Sequence, residues 1–289
     1  MASLRTLLIL GRVSNLPTVW SNCLAGWLLG GGGSPSHLAL LAAGATAAYL
    51  GGMYLNDAFD AQFDAQHRPE RPIPSGAIPL QAVWAWGLGW LALGVGLLCL
   101  FGQTTLILAL LLALSILLYD AVHKLFAFSP ILMAACRFFL LLAAASTSTH
   151  GVAGHPVTAG LPIWTALATA LYVVGLSYVA RKETTLDALS YWPCLCLGAP
   201  FLLAAIVNWG QPALHFLVLG ILLVAWILRC LRFAFWAPQR HIGRTVGGLL
   251  AGLPLVDWLS VWDGSLWMAA AFAGCFLLSL ASQRLVPAT

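Results

Sequence analysis

Long apolar runs recur along the whole of this 289-residue chain and restrict the kind of fold it can adopt. A helix of roughly 17–25 apolar residues is long enough to cross the hydrocarbon core of a bilayer. Hydrophobic residues make up 61% of the sequence and charged residues only 8%, which is more apolar surface than a soluble domain needs. The sequence therefore predicts an all-α, polytopic membrane protein, with residues 1–289 forming a single transmembrane domain.

About nine of these runs have the length and composition of transmembrane helices. The candidate spans are Thr6–Leu29, Leu38–Asp60, Leu80–Phe101, Thr104–Tyr119, Ser129–Thr147, Leu161–Ala180, Tyr191–Val207, Pro212–Cys230 and Trp267–Leu280. Another apolar stretch, Val246–Trp262, is interrupted by Pro254 and Asp257. It is predicted to be a tenth span, a re-entrant piece or an interfacial extension.

Lys and Arg residues are concentrated in alternate loops between these spans. Cytoplasmic loops carry an excess of Lys and Arg, so the N-terminus and the loops after even-numbered spans are predicted to face the cytoplasm. The net charge of +4 is small and dispersed, which indicates membrane orientation and not binding of nucleic acid. We expect a multi-pass protein of a bacterial-type inner membrane, with its site toward the cytoplasm and its oligomeric state left open.

Three acids and an amide stand together at the end of the second predicted span: Asn56, Asp57, Asp60 and Asp64. Acidic side chains at the edge of the bilayer are rare and usually functional. At about 100° per residue, the three carboxylates fall within one arc of a continuous helix. They would repel each other without a cation between them, and a hard divalent cation with oxygen ligands, such as Mg²⁺, is the natural candidate.

A second acidic pair, Glu183 and Asp187, follows the sixth predicted span on the same side of the membrane. Its spacing of four residues places both carboxylates on one helical face. The two acidic clusters are therefore predicted to face each other across one cavity, where carboxylates hold metal ions and the metals hold a diphosphate. The surrounding cations predicted to neutralise the diphosphate are Arg68, Arg71, Lys124, Arg137, Arg181 and Lys182.

These motifs resemble those of a known family. The segment Asn56–Asp64 (N-D-x-x-D-x-x-x-D) and the following Arg71–Gly76 (R-P-I-P-S-G) closely resemble the first signature of the UbiA superfamily of intramembrane prenyltransferases. Glu183–Asp187 resembles the second aspartate-rich motif, although it begins with Glu where Asp is common. The sequences of the segments Arg12–Thr18 and Tyr119–Lys124 are similar to those of the EboC-like branch of this superfamily.

The resemblance implies a helical bundle around a central cavity, in which Mg²⁺ and a prenyl diphosphate lie beneath cytoplasmic cap loops. By position it makes Asp57, Asp60, Asp64 and Asp187 the predicted catalytic residues, adds Glu183 as a metal ligand, and adds Asn56 and Arg71 to the diphosphate site. The family often has Tyr-x-x-x-Lys after the fourth helix, whereas here Tyr119 is followed by His123 and then Lys124. Whether His123 or Lys124 binds the phosphate stays open, and Asp120 has no assigned role.

The implied function is Mg²⁺-dependent transfer of a prenyl group from a prenyl diphosphate to an aromatic or other lipophilic acceptor in the membrane. Loss of diphosphate leaves an allylic electrophile, which an apolar cavity must protect from water. Two alternatives remain: a transport or lipid-handling protein on the same scaffold, and terpene cyclisation without an acceptor. No inverted repeat with broken helices, as expected of many transporters, is evident in the sequence.

Overall fold

A computed structural model describes residues 3–154, 159–181, 190–208, 214–261 and 265–287. Within these ranges the chain is built from α-helices joined by short loops, which confirms the predicted all-α class. The helices are α1 (Leu4–Leu10), α2 (Leu16–Leu29), α3 (Pro35–Phe59), α4 (Ala61–His67), α5 (Leu80–Cys99), α6 (Gln103–Val122), α7 (Ser129–Ser146), α8 (Leu161–Ala180), α9 (Trp192–Leu197), α10 (Ala199–Val207), α11 (Leu214–Phe235), α12 (Ile242–Ala251), α13 (Leu253–Val261) and α14 (Leu266–Ser282).

Six helices in the described part of the chain are long and apolar enough to cross a membrane: α3, α5, α6, α7, α8 and α11. Two further apolar stretches, Trp192–Val207 and Leu266–Ser282, are shorter. The protein is therefore an integral membrane protein with several spans. The predicted total of nine is not reached by single long helices and stays a prediction.

The first predicted span, Thr6–Leu29, is not one helix. It is broken after Leu10, where Arg12 adopts a left-handed conformation with φ of 41°, which few residues other than glycine adopt. Pro17 then lies in the first turn of α2, the helical position that best accepts a proline. The Tyr49 hydroxyl donates a hydrogen bond to the Arg12 carbonyl oxygen at 3.1 Å, which stabilises this break.

The described part of the irregular stretch, residues 246–261, is divided between two consecutive helices. α12 ends at Ala251, Gly252 caps it, and α13 begins at Leu253 with Pro254 in its first turn. The ring of Pro254 cannot donate a backbone hydrogen bond to the preceding turn, which explains the break at this point. Asp257 is completely buried within α13.

Helices α3 and α5 pack so closely that small residues are required between them. A Cβ atom built on Gly94 would lie 2.5 Å from the Ala48 backbone nitrogen, and one on Gly51 would lie 2.6 Å from the Leu91 nitrogen. Both neighbours are backbone atoms and cannot move aside without displacing a helix. This contact holds α3, and with it the acidic motif at its end, at a fixed position in the bundle.

Replacing Gly94 by Ala should therefore destabilise the protein, although Ala is the better helix former by about 1 kcal/mol. The added methyl group must push α5 away from α3, and overpacking of this kind costs roughly 1–3 kcal/mol. Thermal unfolding of the purified protein in detergent measures the effect. The matched control is Gly96→Ala on the same helix, since a Cβ on Gly96 meets nothing within 4 Å; an equal loss in both variants would contradict the explanation.

Candidate functional site

A large cavity of about 670 Å³ lies inside the bundle at the end of α3. Its deeper wall is apolar, with side chains such as Val19, Ala48, Leu112, Leu140 and Leu176. A cavity of this size holds a small organic ligand and buries most of its surface. The charged lining residues are Arg12, Asp60, Asp64, Arg68, Arg71, Asp120, His123, Lys124, Arg137 and Arg181.

The spacing of the acidic motif predicts one continuous helix, and this prediction is wrong. α3 ends at Phe59, Asp60 forms the junction, and α4 begins at Ala61. Asp57 and Asp64 nevertheless face the same side, because one Arg71 nitrogen lies 3.3 Å from Asp57 Oδ1 and 3.0 Å from Asp64 Oδ2. The R-P-I-P-S-G segment thus folds back and places its cation between two buried acids.

Arg12, which lies at the break between α1 and α2, also contacts this acidic motif. Its Nη2 donates to Asn56 Oδ1 at 3.0 Å and to Asp57 Oδ1 at 3.1 Å. Asp57 therefore binds two guanidinium groups, Arg12 and Arg71, and does not itself line the cavity. The amide of Asn56 does line it.

Asp60 contacts both residues between which the sequence could not choose. Lys124 Nζ lies 2.6 Å from Asp60 Oδ1, and His123 Nε2 lies 3.4 Å from the same oxygen. Burial raises the pKa of Asp60, which lies just beyond the end of α3, but the hydrogen bonds from His123 and Lys124 outweigh this effect, and the net result is a lowered pKa. Asp60 is therefore ionised at neutral pH. The Lys124 ammonium also lies 3.6 Å from the centre of the Phe63 ring, which fixes it further.

Asp120, which has no role assigned from the sequence, belongs to this cluster. Its Oδ1 accepts a hydrogen bond from Asn56 Nδ2 at 3.0 Å, and its side chain lines the cavity. The signal was present, since Asp120 stands one residue after Tyr119 in the segment that carries His123 and Lys124. The motifs of the resembled family contain no residue that corresponds to Asp120, so the resemblance implies no role for it.

The remaining predicted cations have different surroundings. Arg68 lines the cavity at the charged end formed by Asp60, Asp64, Arg71 and Lys124, which we call the mouth. Arg181 donates to the Phe126 carbonyl oxygen at 2.6 Å and to Ser129 Oγ at 2.8 Å, and so fastens the loop before α7. Arg137 lies farther along α7 and, among the described residues, donates hydrogen bonds to Thr18 alone. The structure therefore does not bring Arg137 into contact with the acidic motif.

Three predicted site residues, Lys182, Glu183 and Asp187, lie outside the described residues. The second acidic cluster, and its position opposite the first across the cavity, therefore stay predictions.

The acids present at the mouth have the donor chemistry that Mg²⁺ prefers, which is carboxylate and amide oxygen. Asp64 Oδ1 and Asp120 Oδ2 are buried oxygens with no hydrogen-bond partner among the described residues. Within the same ranges, no three acids, His or Cys residues are gathered closely enough to form a ready-made metal site. Arg12, Arg71 and Lys124 balance the acidic charge in this arrangement. The donor set fits a divalent cation, provided that some of these contacts rearrange.

The chain matches a known protein family. A model of the UbiA prenyltransferase family matches residues 16–187, which is more than half of the chain and includes both acidic motifs.

Two curated relatives are similar over shorter stretches, and both are digeranylgeranylglyceryl phosphate synthases. The protein from Methanopyrus kandleri is 33% identical over 117 residues, which are 40% of this chain and 43% of the relative. The protein from Methanothrix thermoacetophila is 36% identical over 118 residues, which are 40% of this chain and 44% of the relative. The chain thus matches less than half the length of these relatives.

Solved structures are similar over nearly the whole fold. A digeranylgeranylglyceryl phosphate synthase structure covers 95% of this chain and 99% of its own length, with a TM-score of 0.61 and 18% identity. A UbiA homologue from Archaeoglobus fulgidus, bound to GPP and Mg²⁺, covers 96% of this chain and 98% of its own, with a TM-score of 0.53 and 15% identity. At these identities the likeness establishes a shared fold.

Proposed function

Because the chain belongs to the UbiA prenyltransferase family, we propose that it transfers a prenyl group from a prenyl diphosphate to a lipophilic acceptor inside the membrane. One observation carries this proposal: acids and cations meet at the mouth of a 670 Å³ cavity whose deeper wall is apolar. A polar mouth suits a diphosphate, and an apolar interior suits a hydrocarbon tail.

Charge stabilisation at the mouth is the main task of these residues. When the C1–O bond of the prenyl diphosphate breaks, the electron pair leaves with the diphosphate, and the acceptor bonds to C1 and loses one proton. Arg71 and Lys124 lie where they can hold the departing negative charge, and such fixed charges act most strongly in a site that excludes water. The apolar wall protects the allylic carbon from water.

Mg²⁺ is the proposed cofactor, and it would supply further positive charge to the diphosphate oxygens. Asp60 and Asp64 line the cavity and would hold it, with Asp57 behind them and the amide oxygen of Asn56 beside them. Glu183 and Asp187 remain the predicted ligands from the opposite side. Two structures of a UbiA homologue from Archaeoglobus fulgidus, one with GPP and one with DMAPP, are bound to Mg²⁺, which supports this choice.

The acceptor is proposed at the level of its class. The sequence favoured an aromatic acceptor, whereas the curated relatives are named for a glyceryl phosphate product. Both kinds of acceptor are lipophilic molecules that carry a polar group. The Lys and Arg distribution supports a mouth that opens to the cytoplasm, and assignment to a bacterial-type inner membrane remains a prediction.

Product analysis tests the proposal directly. The purified full chain in lipid nanodiscs is incubated with prenyl diphosphates of several lengths, with Mg²⁺ or with a chelator, and with either 4-hydroxybenzoate or a glyceryl phosphate ether lipid. We expect Mg²⁺-dependent release of diphosphate together with a prenylated acceptor, detected by mass spectrometry.

Other outcomes would replace the proposal with a named alternative. Release of diphosphate with a cyclic hydrocarbon and no use of either acceptor would indicate terpene cyclisation. Absence of diphosphate release with every donor would indicate a transport or lipid-handling protein on this fold.

A further inference from the structure

Arg137 is a charged side chain in the wrong part of the cavity for a diphosphate ligand. It lies eight residues after the first residue of α7, which corresponds to about 12 Å along the helix. Its neighbours in the cavity wall on the same helix are Met133, Cys136 and Leu140. A cation in such a wall is costly, and intramembrane charges of this kind usually mark a functional site.

The partners of Arg137 are neutral. Its Nη1 donates to the Thr18 carbonyl oxygen at 2.9 Å and its Nη2 to the Thr18 hydroxyl at 2.7 Å. No carboxylate of the described residues lies within 4.0 Å of it, whereas Arg12, Arg71 and Lys124 each contact an aspartate. Its charge is therefore not paired directly.

Asp257 of α13 is the acid on this side of the bundle, and two side chains of α2 already donate hydrogen bonds to it. Its Oδ2 accepts from Ser21 Oγ at 2.6 Å and its Oδ1 from Asn22 Nδ2 at 3.1 Å. Asp257 is completely buried and does not line the cavity. It balances the charge of the region from behind and leaves the cavity face of Arg137 open to a ligand.

We propose that Arg137 binds an anionic group, a carboxylate or a phosphate, on the acceptor. This inference rests on the proposed prenyl transfer and names the acceptor class. The diphosphate of the donor has its own cations at the mouth, which leaves Arg137 available to a second anion. A guanidinium has five N–H donors in a plane. Thr18 accepts from two of those of Arg137, and the other three are enough for a planar, bidentate contact to a carboxylate or phosphate.

Binding of simple amphiphiles tests this site without a known acceptor. The purified full chain is saturated with Mg²⁺ and geranyl S-thiolodiphosphate, an unreactive donor analogue that fills the mouth. Affinities for dodecyl phosphate, laurate and dodecanol are then measured by native mass spectrometry. We expect the wild type to bind one or both anions at least about 10-fold more tightly than dodecanol, and Arg137→Gln to lose that preference while retaining its affinity for the donor analogue.

Two further variants separate binding from structural support. Thr18→Val removes a hydrogen-bond partner of Arg137 but keeps the guanidinium, and it should retain the full preference for anions. Arg137→Lys keeps the charge but not the planar group, and it should retain only part of that preference. Both variants report on the site even if Arg137→Gln does not fold. A variant that loses affinity for the donor analogue and not for the amphiphile would place Arg137 in the diphosphate site, as the sequence had predicted. A wild type without preference for either anion would also overturn the proposal. Failure of prenyl transfer itself is recognised separately, by the lack of Mg²⁺-dependent diphosphate release from a reactive donor.

Discussion

Replacing Asp60 by Asn should reduce Mg²⁺-dependent consumption of a prenyl diphosphate by on the order of 10²-fold or more, the loss typical when one group that stabilises developing charge is removed. Asp60 lines the cavity and is held ionised by Lys124 and His123. The amide keeps the size of the side chain but loses the charge that would attract a divalent cation. Asp57→Asn should have a similar effect, because it also loosens Arg12 and Arg71. Steady-state release of diphosphate measures both variants.

Glu70→Gln is the matched control for these substitutions. Glu70 lies in the same loop region, is exposed and forms no ion pair with the described residues, so the variant loses the same charge without touching the cavity and should retain activity. Unchanged turnover in folded Asp57→Asn and Asp60→Asn proteins would refute the assignment of these acids to the site.

The apolar runs were sufficient to predict the class of fold, because a bilayer leaves few choices for a chain of this composition. They could not predict where helices break. Thr6–Leu29 reads as one span, yet the backbone turns at Arg12, since its guanidinium gains two acceptors on α3 by doing so. That gain depends on a contact across 44 positions, which no local pattern contains.

The sequence predicts which charged residues lie near the cavity better than it predicts which of them contact each other. Spacing and position at the end of an apolar run predict Asp57, Asp60 and Asp64 as site residues, but they do not predict which cation contacts each of them. Arg71 joins Asp57 to Asp64, and Lys124 joins α6 to Asp60. Asp120 could not be assigned a role from the sequence, because its partner, Asn56, is 64 positions away.

Arg71→Gln should destabilise the protein by about 3–5 kcal/mol, the usual cost of removing one partner from a buried ion pair. The carboxyl groups of Asp57 and Asp64 are only 8% and 3% exposed, and one Arg71 nitrogen contacts both. Without it, Asp64 has no remaining ion pair with the described residues, and two acids face each other without the cation between them. Thermal unfolding in detergent, at neutral pH and without divalent cations, measures the loss.

Arg68→Gln is the matched control, because Arg68 lies in the same loop and cavity wall but contacts neither acid within 4.0 Å. The double variant Arg71→Gln/Asp64→Asn gives the sharper test. If the loss in Arg71→Gln arises from uncompensated charge on Asp64, removing that charge as well should recover part of the stability, as expected for residues in direct contact. Strictly additive losses would instead show that Arg71 stabilises the loop through packing of its side chain, and that the bridge between the two acids contributes little.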